Sequence, residues 1–393
     1  MNREVVIASA CRTPIGSFGG SLSTISAPKL GAIVIEEALK RINVAKKDVD
    51  EVIMGNVLTA GIGQAPARQA TLFAGLPDSV EALTINKVCG SGLKAIMLGA
   101  QAIALGDAEV VVAGGMENMS QTPYLLEKAR NGYRMGHGQV TDSMIKDGLW
   151  DVYKDYHMGN AAELCAKECN VTRIEQDTYS IMSYERAIDS QNSGLFTKEI
   201  IPVQIPQKGD QPIIVDQDEE PKKFRKDKMP TLKPAFQKDG TVTPANASKI
   251  NDGAAATVLM TREKANALGI KPLAKIVGYA SAAKQPEWFT TAPADVIAKV
   301  LKKVSLTKDD IDLYEINEAF AVVTLIVNRM IGLDVNKVNV HGGAVALGHP
   351  IGASGARIMV TLLHAMKERK ARRGMAAICI GGGEASAVIV EQI

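Results

Sequence analysis

The stretch INKVCGSGLKAIMLGAQAIALGDAEVVVAGG, residues 85–115, predicts a strand, a tight turn, a helix and a second strand. The first apolar segment ends at Val88, and Gly90 and Gly92 permit a sharp turn. The apolar residues that follow recur at helical spacing, before a β-branched run that ends in two glycines. One cysteine, Cys89, therefore lies at the start of a predicted helix.

The same order of segments returns about 260 residues later. DVDEVIMGN (48–56) is similar to DIDLYEIN (310–317), and each is followed by a glycine-containing turn that opens a helix. The second helix, GASGARIMVTLLHAM (352–366), also leads into a strand that ends in glycines, AAICIGGG (376–383). The repeat predicts two similar α/β halves.

Short β-branched runs alternate with helix-period segments, which is typical of an α/β fold with helices packed on a largely parallel sheet. Between the two halves this pattern breaks. Residues 206–234 are rich in proline and charge and have no regular apolar period. We expect a loop domain at 119–248, inserted between an N-terminal half (1–118 with 249–270) and a C-terminal half (271–393).

Composition limits the classes of partner. The formal net charge of the 393 residues is +2, so no global field draws the chain to nucleic acid or to a membrane surface. The longest apolar runs fall short of the roughly 20 residues that cross a bilayer. The five cysteines are not preceded by a secretory or transit segment, so we expect free thiols and a reducing, cytoplasmic location.

Cys89 has a chemical use in this position. At a helix N-terminus, unpaired backbone N–H groups favour the thiolate over the thiol, which makes cysteine a better nucleophile. A free cysteine is more often a small buried hydrophobe, but the flanking glycines favour the functional interpretation.

Two further residues stand beside glycines in the second half. His349 lies between Gly348 and Pro350, in a loop where an imidazole could face a cleft or could simply be solvated. Cys379 ends a buried-strand pattern at three glycines, where burial is the plain alternative. A redox pair, a metal site and covalent catalysis are all conceivable, but a C-x-x-C motif is lacking and neither Cys89 nor Cys379 has a close Cys or His partner. Covalent catalysis is favoured.

These motifs together resemble the thiolase family. VCGSGLKA, GGMENMS, NEAFA, GGAVALGHPIGASGAR and CIGGG occur in the family's order and spacing across the whole chain. The resemblance implies a thiolase fold, in which the two α/β halves form a five-layered αβαβα core with an inserted loop domain. It also implies a homotetramer built from tight dimers.

The resemblance also assigns catalytic roles by matching motif. Cys89 would take the acyl group while His349 accepts its proton, and Cys379 would move the α-proton of the second substrate. Asn317, which alone would suggest a helix cap, would hold a water that stabilises the enolate with His349. The backbone N–H groups of Cys89 and Gly381 would form an oxyanion pocket.

The segments YHMG (156–159) and NASKINDGAAA (246–256) resemble short-chain acetyl-CoA acetyltransferases. The implied reaction is the reversible condensation of two acetyl-CoA, through an acetyl-cysteine, to acetoacetyl-CoA and CoA. Cleavage of longer or 2-methyl-branched 3-oxoacyl-CoA is the alternative, and a ketoacyl-synthase-like enzyme, a hydrolase and a non-catalytic CoA-binding scaffold are further ones. The variant stretch PEWFTTAP (286–293) leaves the acyl preference open.

The coenzyme A thioesters are substrates, and the resemblance requires no cofactor. It places contacts to coenzyme A on five residues: His157, Met158, Arg225, Ser248 and Phe320. The basic run PKKFRKDK (221–228) could meet the phosphates or could be a solvated loop.

A potassium ion is a further expectation from the resemblance. Some acetoacetyl-CoA thiolases hold this ion mainly with backbone carbonyls. The matching positions here are Tyr184, Pro244, Ala245, Ala247 and Val345, and Pro244 departs from the family's alanine.

Overall fold

A computed structural model describes residues 3–207, 209 and 211–393, with both strands and helices along this range. The strands are β1 Val5–Arg12, β2 Gly16–Ser17, β3 Glu51–Gly55, β4 Glu81–Ile85, β5 Val110–Asn118, β6 Tyr124–Leu125, β7 Thr141–Asp142, β8 Trp150–Asp151, β9 Tyr156–His157, β10 Val203–Ile205, β11 Ile213–Val215, β12 Asn251–Thr261, β13 Ala274–Ala283, β14 Leu313–Ile316, β15 Arg373–Ile380 and β16 Glu384–Gln392. The helices are α1 Ala27–Lys40, α2 Pro66–Phe73, α3 Ser91–Leu105, α4 Met158–Glu168, α5 Arg173–Asn192, α6 Arg262–Ala267, α7 Ala292–Lys303, α8 Ala321–Ile331, α9 Ala344–Leu347 and α10 Ile351–Arg369.

The main sheet runs in the order β14-β15-β16-β13-β1-β12-β5-β3-β4, with β2 paired to β12. The prediction of two similar halves is confirmed, because β4-β3-β5-β12-β1 and β14-β15-β16-β13 repeat one topology about a joint between β1 and β13. The joint consists of two residue pairs, Val6 with Lys275 and Ile7 with Ala274. A parallel bridge from Tyr314 to Val338 stands where β4 pairs with β3 in the first half.

The expectation of a largely parallel sheet is wrong. Only β3–β4, β3–β5 and β14–β15 are parallel, whereas β1, β12, β5, β13, β15 and β16 meet in antiparallel pairs. All eleven residues of β12 are buried, so the strand lacks the alternation that usually marks an antiparallel strand with one solvated face. Burial on both faces, rather than a parallel strand direction, therefore explains the continuous apolar runs in the sequence.

Three apolar cores join five layers, as the αβαβα prediction requires, because the central core lies on both faces of the middle helices. Helices α1 and α2 cover the outer face of the first half-sheet, and α7 and α8 cover the outer face of the second. Helices α3 and α10 lie between the half-sheets, in a core that draws on both. Successive side chains of a strand point to opposite faces of the sheet, and in β15 the Cys379 side chain faces the outer core while that of Ile380 faces the central core.

Glycine allows the two central helices to touch. A Cβ on Gly92 of α3 would lie 2.6 Å from the Ala356 backbone nitrogen, and one on Gly355 of α10 would lie 2.3 Å from the Leu93 nitrogen. These glycines occupy matching places in the two repeats. Their close contact brings together the N-terminal ends of α3 and α10, and hence the turns that carry Cys89 and His349.

The buried setting of α3 also explains its composition. Residues Val88–Leu105 have a mean hydropathy of 1.5, which by length and composition would suffice for a membrane span. In the fold 56% of this stretch is buried. The apolar surface of α3 is therefore used between the two half-sheets.

The chain between β5 and β12 holds α4, α5 and the two-stranded sheets β6–β7, β8–β9 and β10–β11. It packs on both halves, since α4 shares a core with α7 and α8, and β10 and β11 contribute to the core under α1. The division of this segment into a separate loop domain at 119–248 stays a prediction.

Candidate active site

A cavity of about 190 Å³ lies where the turns of the two halves meet the inserted segment. Its lining is mostly apolar and includes seven of the predicted catalytic and coenzyme A residues: Cys89, His157, Met158, Ser248, Phe320, His349 and Gly381. A concave apolar site with a few convergent polar groups is the usual form of a small-molecule site.

Cys89 sits on a strained turn. Val88, the residue before it, has a φ of 45°, a left-handed conformation that is unusual for a β-branched side chain. The turn is held by the Ser91 hydroxyl, which donates to the Val88 carbonyl at 2.6 Å and accepts from the Lys87 N–H at 2.8 Å. Helix α3 begins immediately afterwards, and the turn presents Cys89 to the cavity.

The structure does not favour the expected thiolate at Cys89. Burial raises the pKa of the Cys89 thiol to about 11, and hydrogen bonds from the backbone N–H groups of Gly381 and Cys89 offset only part of this effect. Helix position alone suggested the opposite direction. Desolvation outweighs the helix end here, so the nucleophile needs a base at the moment of attack.

His349 has the geometry of such a base. Its Nδ1 lies 2.6 Å from the Ser354 Oγ, and the Ser354 hydroxyl donates to the Pro350 carbonyl at 2.9 Å. Because the Ser354 hydroxyl proton is donated to Pro350, the serine oxygen accepts a hydrogen bond from Nδ1–H of His349. The lone pair of the neutral ring is therefore on Nε2. Nε2 is buried without a hydrogen-bond partner among the described residues. Burial, with a smaller contribution from Arg357, lowers the pKa of His349 to about 3.

Cys379 lies behind the cavity wall rather than on it. The residue is 1% exposed at the end of β15. Burial raises the pKa of its thiol well above the usual range, and the neighbouring Cys89 raises that pKa further. The second effect requires proximity between the two sulfurs, so turns from both halves bring the two thiols and the imidazole to one region.

Asn317 is fully buried beside this region, in the turn after β14. Neither its side-chain oxygen nor its nitrogen has a hydrogen-bond partner in the part of the chain that the structure describes. A buried amide left unpaired is costly, so such a group points to a ligand or to catalysis. The helix-cap interpretation is wrong, since α8 begins at Ala321 with Phe320 as its cap.

Comparison with known proteins agrees with this architecture. The sequence pattern of the thiolase N-terminal domain matches residues 5–263, and that of the thiolase C-terminal domain matches residues 270–392. The chain belongs to the thiolase family. The N-terminal-domain pattern spans the N-terminal half together with the inserted segment.

Individual relatives cover this thiolase from end to end. It is 55% identical to an acetyl-CoA acetyltransferase of Cupriavidus necator, over 99% of both chains, and 50% identical to one of Schizosaccharomyces pombe, over 100% of both. Among solved structures, the Bacillus anthracis acetyl-CoA acetyltransferase has a TM-score of 0.97 at 44% identity, covering 100% of this chain and 99% of that one. An Ascaris suum thiolase in complex with coenzyme A has a TM-score of 0.95 at 45% identity, covering 100% of both.

A buried carboxylate joins the turns beneath the cavity. Glu117 at the end of β5 accepts hydrogen bonds from the Asn56 amide at 2.6 Å, from the N–H groups of Val57 and Leu58, and from the Gly352 N–H at 2.8 Å. Burial raises the pKa of Glu117 to about 7 despite these donors. The contacts fix the start of α10, two residues after the His349 turn.

The wall formed by the inserted segment carries an aromatic cluster. His157 stacks on Phe236 at 4.7 Å between ring centroids, and Phe236 meets the edge of Phe320 at 6.2 Å. The Gly159 N–H donates to His157 Nδ1 at 3.0 Å, so the neutral ring carries its proton on Nε2. Phe236 and Phe289 line the cavity but were missed in the sequence, although Phe289 lies in the variant stretch 286–293.

A second cavity shares residues 247–250 and Phe236 with the first, and it is lined further out by Lys223 and Glu220. Of the basic run, Lys223 therefore lies by this opening. Arg225 lines neither cavity. It is exposed, and its guanidinium donates to the carbonyls of Lys222 and Phe224. The structure does not bring Arg225 together with the other predicted contacts.

The positions expected to hold potassium do not fit an ion. The Lys249 ammonium donates to the Ala247 carbonyl at 2.8 Å and to the Val345 carbonyl at 3.0 Å, and it lies 5.3 Å from the centre of the Tyr184 ring. A cation is thus already supplied by the chain at this point. Pro244 and Ala245 lie at the outer end of the same loop, and neither contacts this ammonium in the described hydrogen bonds.

Proposed function

We propose that this thiolase is an acetyl-CoA C-acetyltransferase. It would interconvert two acetyl-CoA with acetoacetyl-CoA and CoA by a ping-pong route through an acetyl group on Cys89. The observation that carries the proposal is that Cys89 and His349 line one cavity, with buried Cys379 near Cys89 behind its wall. The relatives of the same length that bear this activity in their names support it.

In the first half-reaction, the Cys89 sulfur attacks the thioester carbonyl of acetyl-CoA as the His349 Nε2 takes the thiol proton. The CoA thiolate then leaves and receives that proton. The oxygen of the tetrahedral species would be held by the N–H groups of Cys89 and Gly381. Both N–H groups act on the Cys89 sulfur and lower the pKa of its thiol, which supports their reach to the reacting carbon.

In the second half-reaction, Cys379, acting as the thiolate, would remove the α-proton of another acetyl-CoA, and the resulting carbanion would attack the acetyl carbonyl on Cys89. The bond between that carbonyl carbon and the Cys89 sulfur would break, and the leaving Cys89 thiolate would take the proton from Cys379. The forming enolate needs hydrogen bonds at its oxygen. His349 would supply one, and a water held by Asn317 would supply the other. The unpaired amide of Asn317 supports this role, because its hydrogen-bonding capacity is unused by the protein.

Coenzyme A would enter through the second cavity. The Nε2–H of His157 is free to donate to a pantetheine carbonyl, Ser248 offers a hydroxyl, and Met158 with Phe320 forms an apolar wall. Phosphate contact by Arg225 would require its side chain to leave the carbonyls that it now contacts. Lys223 at the opening is the better-placed cation.

We also propose a cytoplasmic location and assembly as a homotetramer. For the location, a Gibberella zeae relative that is 52% identical over 99% of this chain carries the description "cytosolic". Gel filtration with light scattering tests the assembly, and a monomeric or dimeric mass would reject it.

The substrate assignment is tested by cleavage rates with a series of 3-oxoacyl-CoA thioesters in the presence of CoA. Acetoacetyl-CoA should react fastest, with 2-methylacetoacetyl-CoA and longer homologues slower. A Cys89→Ser variant should be inactive, whereas Cys165→Ser, which alters a buried thiol that does not line the cavity, should keep its activity. Faster cleavage of the longer or branched chains would replace this proposal with a degradative thiolase.

A further inference from the structure

The Lys249 side chain lines the cavity and joins its inserted-segment wall to α9. Its ammonium joins the Ala247 carbonyl, in the inserted segment, to the Val345 carbonyl, in α9. These two oxygens are 98 residues apart in sequence. Three of the predicted potassium positions, Ala247, Val345 and Tyr184, thus surround a lysine nitrogen.

Buried carboxylates complete the site. Burial lowers the pKa of Lys249 to about 8, and the carboxylates of Glu220 and Glu318, which are 7% and 0% exposed, oppose this shift by attracting the ammonium. Glu318 also accepts hydrogen bonds from Tyr179, Ser183, Asn339 and the Val345 N–H. The Val345 carbonyl therefore accepts a hydrogen bond from Lys249, and the Val345 N–H donates one to Glu318.

The two carbonyls that Lys249 joins, those of Ala247 and Val345, both lie close in the structure or in the sequence to residues of the cavity and the proposed catalytic groups. On one side, Ser248 donates its N–H to the Ala319 carbonyl at 3.0 Å, and Ala247 forms a β-bridge with Phe320 on the cavity wall. On the other side, Val345 precedes His349 by four residues, and Glu318 follows Asn317. A shift of either carbonyl would change the shape of the cavity.

We propose that Lys249 is a positioning residue that serves as a built-in monovalent cation, so that this enzyme needs no potassium. The ammonium holds the segment 246–250 against α9 with a charge and hydrogen-bond donors that an ion would otherwise provide. Carbonyl oxygens can replace the hydration shell of potassium, so removal of the lysine side chain should leave a site that takes the ion.

The first test compares wild-type turnover of acetoacetyl-CoA in KCl, NaCl and choline chloride at equal ionic strength. The rates should agree. In Lys249→Ala, the KM for acetoacetyl-CoA should rise about tenfold with a smaller change in kcat, the scale set by loss of a charge-assisted hydrogen bond. KCl should reverse most of this rise along a saturable curve, and NaCl should reverse less.

Matched variants separate this role from a general loss of lysine. Lys303→Ala is the control, because the Lys303 ammonium also donates to a carbonyl, at 3.0 Å, and lies over a tyrosine ring, but away from this cavity. It should show no cation response. Lys249→Met keeps an aliphatic side chain in the space, so it should share the KM defect without rescue by KCl.

The activity readout rests on the proposed function, but the thermal unfolding temperature does not. KCl should raise that temperature for Lys249→Ala more than NaCl does, and should not do so for the wild type or for Lys249→Met. Specific stimulation of the wild type by potassium would overturn the proposal. So would a Lys249→Ala variant with unchanged KM and an unfolding temperature indifferent to the cation. Absence of turnover with the expected unfolding shifts would reject only the acetyltransferase assignment.

Discussion

Ser354 gives a sensitive test of the base assigned to His349. Its hydroxyl oxygen lies 2.6 Å from Nδ1 and its proton goes to the Pro350 carbonyl, so the serine selects the tautomer with a free lone pair on Nε2. Ser354→Ala removes this preference and leaves a buried ring nitrogen without its partner. A neutral hydrogen bond contributes about 0.5–1.5 kcal/mol, and about 1.4 kcal/mol is a tenfold change in rate. Because the site is buried, we expect kcat/KM to fall about tenfold, with kcat carrying the loss.

Ser180→Ala is the matched control. The Ser180 hydroxyl is also buried in a helix and donates to the carbonyl four residues earlier, that of Gln176, at 2.8 Å, but it does not contact a catalytic group. The assay is steady-state cleavage of acetoacetyl-CoA, with unfolding monitored by circular dichroism. Both variants should lose similar stability, and only Ser354→Ala should lose activity. Full activity in Ser354→Ala, or an equal loss in Ser180→Ala, would refute the reasoning.

Three further outcomes follow from buried groups in and around the site. Asn317→Ala should lower kcat at least about tenfold. It should not show the stability loss of about 1–3 kcal/mol expected for Asn339→Ala, since of these two side chains only that of Asn339 has hydrogen-bond partners among the described residues. Urea unfolding together with activity assays checks both outcomes. Gly381→Ala should fold, because a Cβ there meets no atom closer than 3.5 Å, whereas Gly383→Ala, with a φ of 87° and a carbonyl oxygen at 2.4 Å, should unfold at a lower temperature. The folded-state pKa of His349 lies at about 3, below its ordinary value of 6.5, so the unfolded state binds more protons between these values and stability falls as pH drops through that window. His349→Gln should show a shallower acid loss in urea titrations, and an equally steep one would contradict the lowered pKa.

Much of the architecture could be predicted because the repeat is local and regular. Each half uses a strand, a glycine turn and an apolar helix in the same order, and the turns place Cys89 and His349 at matching helix starts. Strand direction could not be predicted. When both faces of a strand are buried, as in β12, its apolar run looks the same in parallel and antiparallel pairs.

The features that sequence reasoning missed depend on contacts between distant segments. The Lys249 contact with Val345 spans 96 residues, and in sequence Lys249 is one lysine among many. Phe236 lines the cavity, where it stacks on His157 from another part of the inserted segment. The pKa of Cys89 was expected to fall at a helix end. Desolvation by the surrounding chain instead raises the pKa of this thiol. Burial of this kind is a property of the assembled fold.

The most direct test of the whole account is the site of acetylation. Wild-type protein and the Cys379→Ala variant are mixed with acetyl-CoA, quenched in acid, digested and analysed by mass spectrometry. Both should carry an acetyl group on the peptide that contains Cys89, removable by added CoA, while Cys379→Ala makes no acetoacetyl-CoA. An unmodified Cys89, or an acetyl group on a different residue, would contradict the claim that this sulfur is the nucleophile.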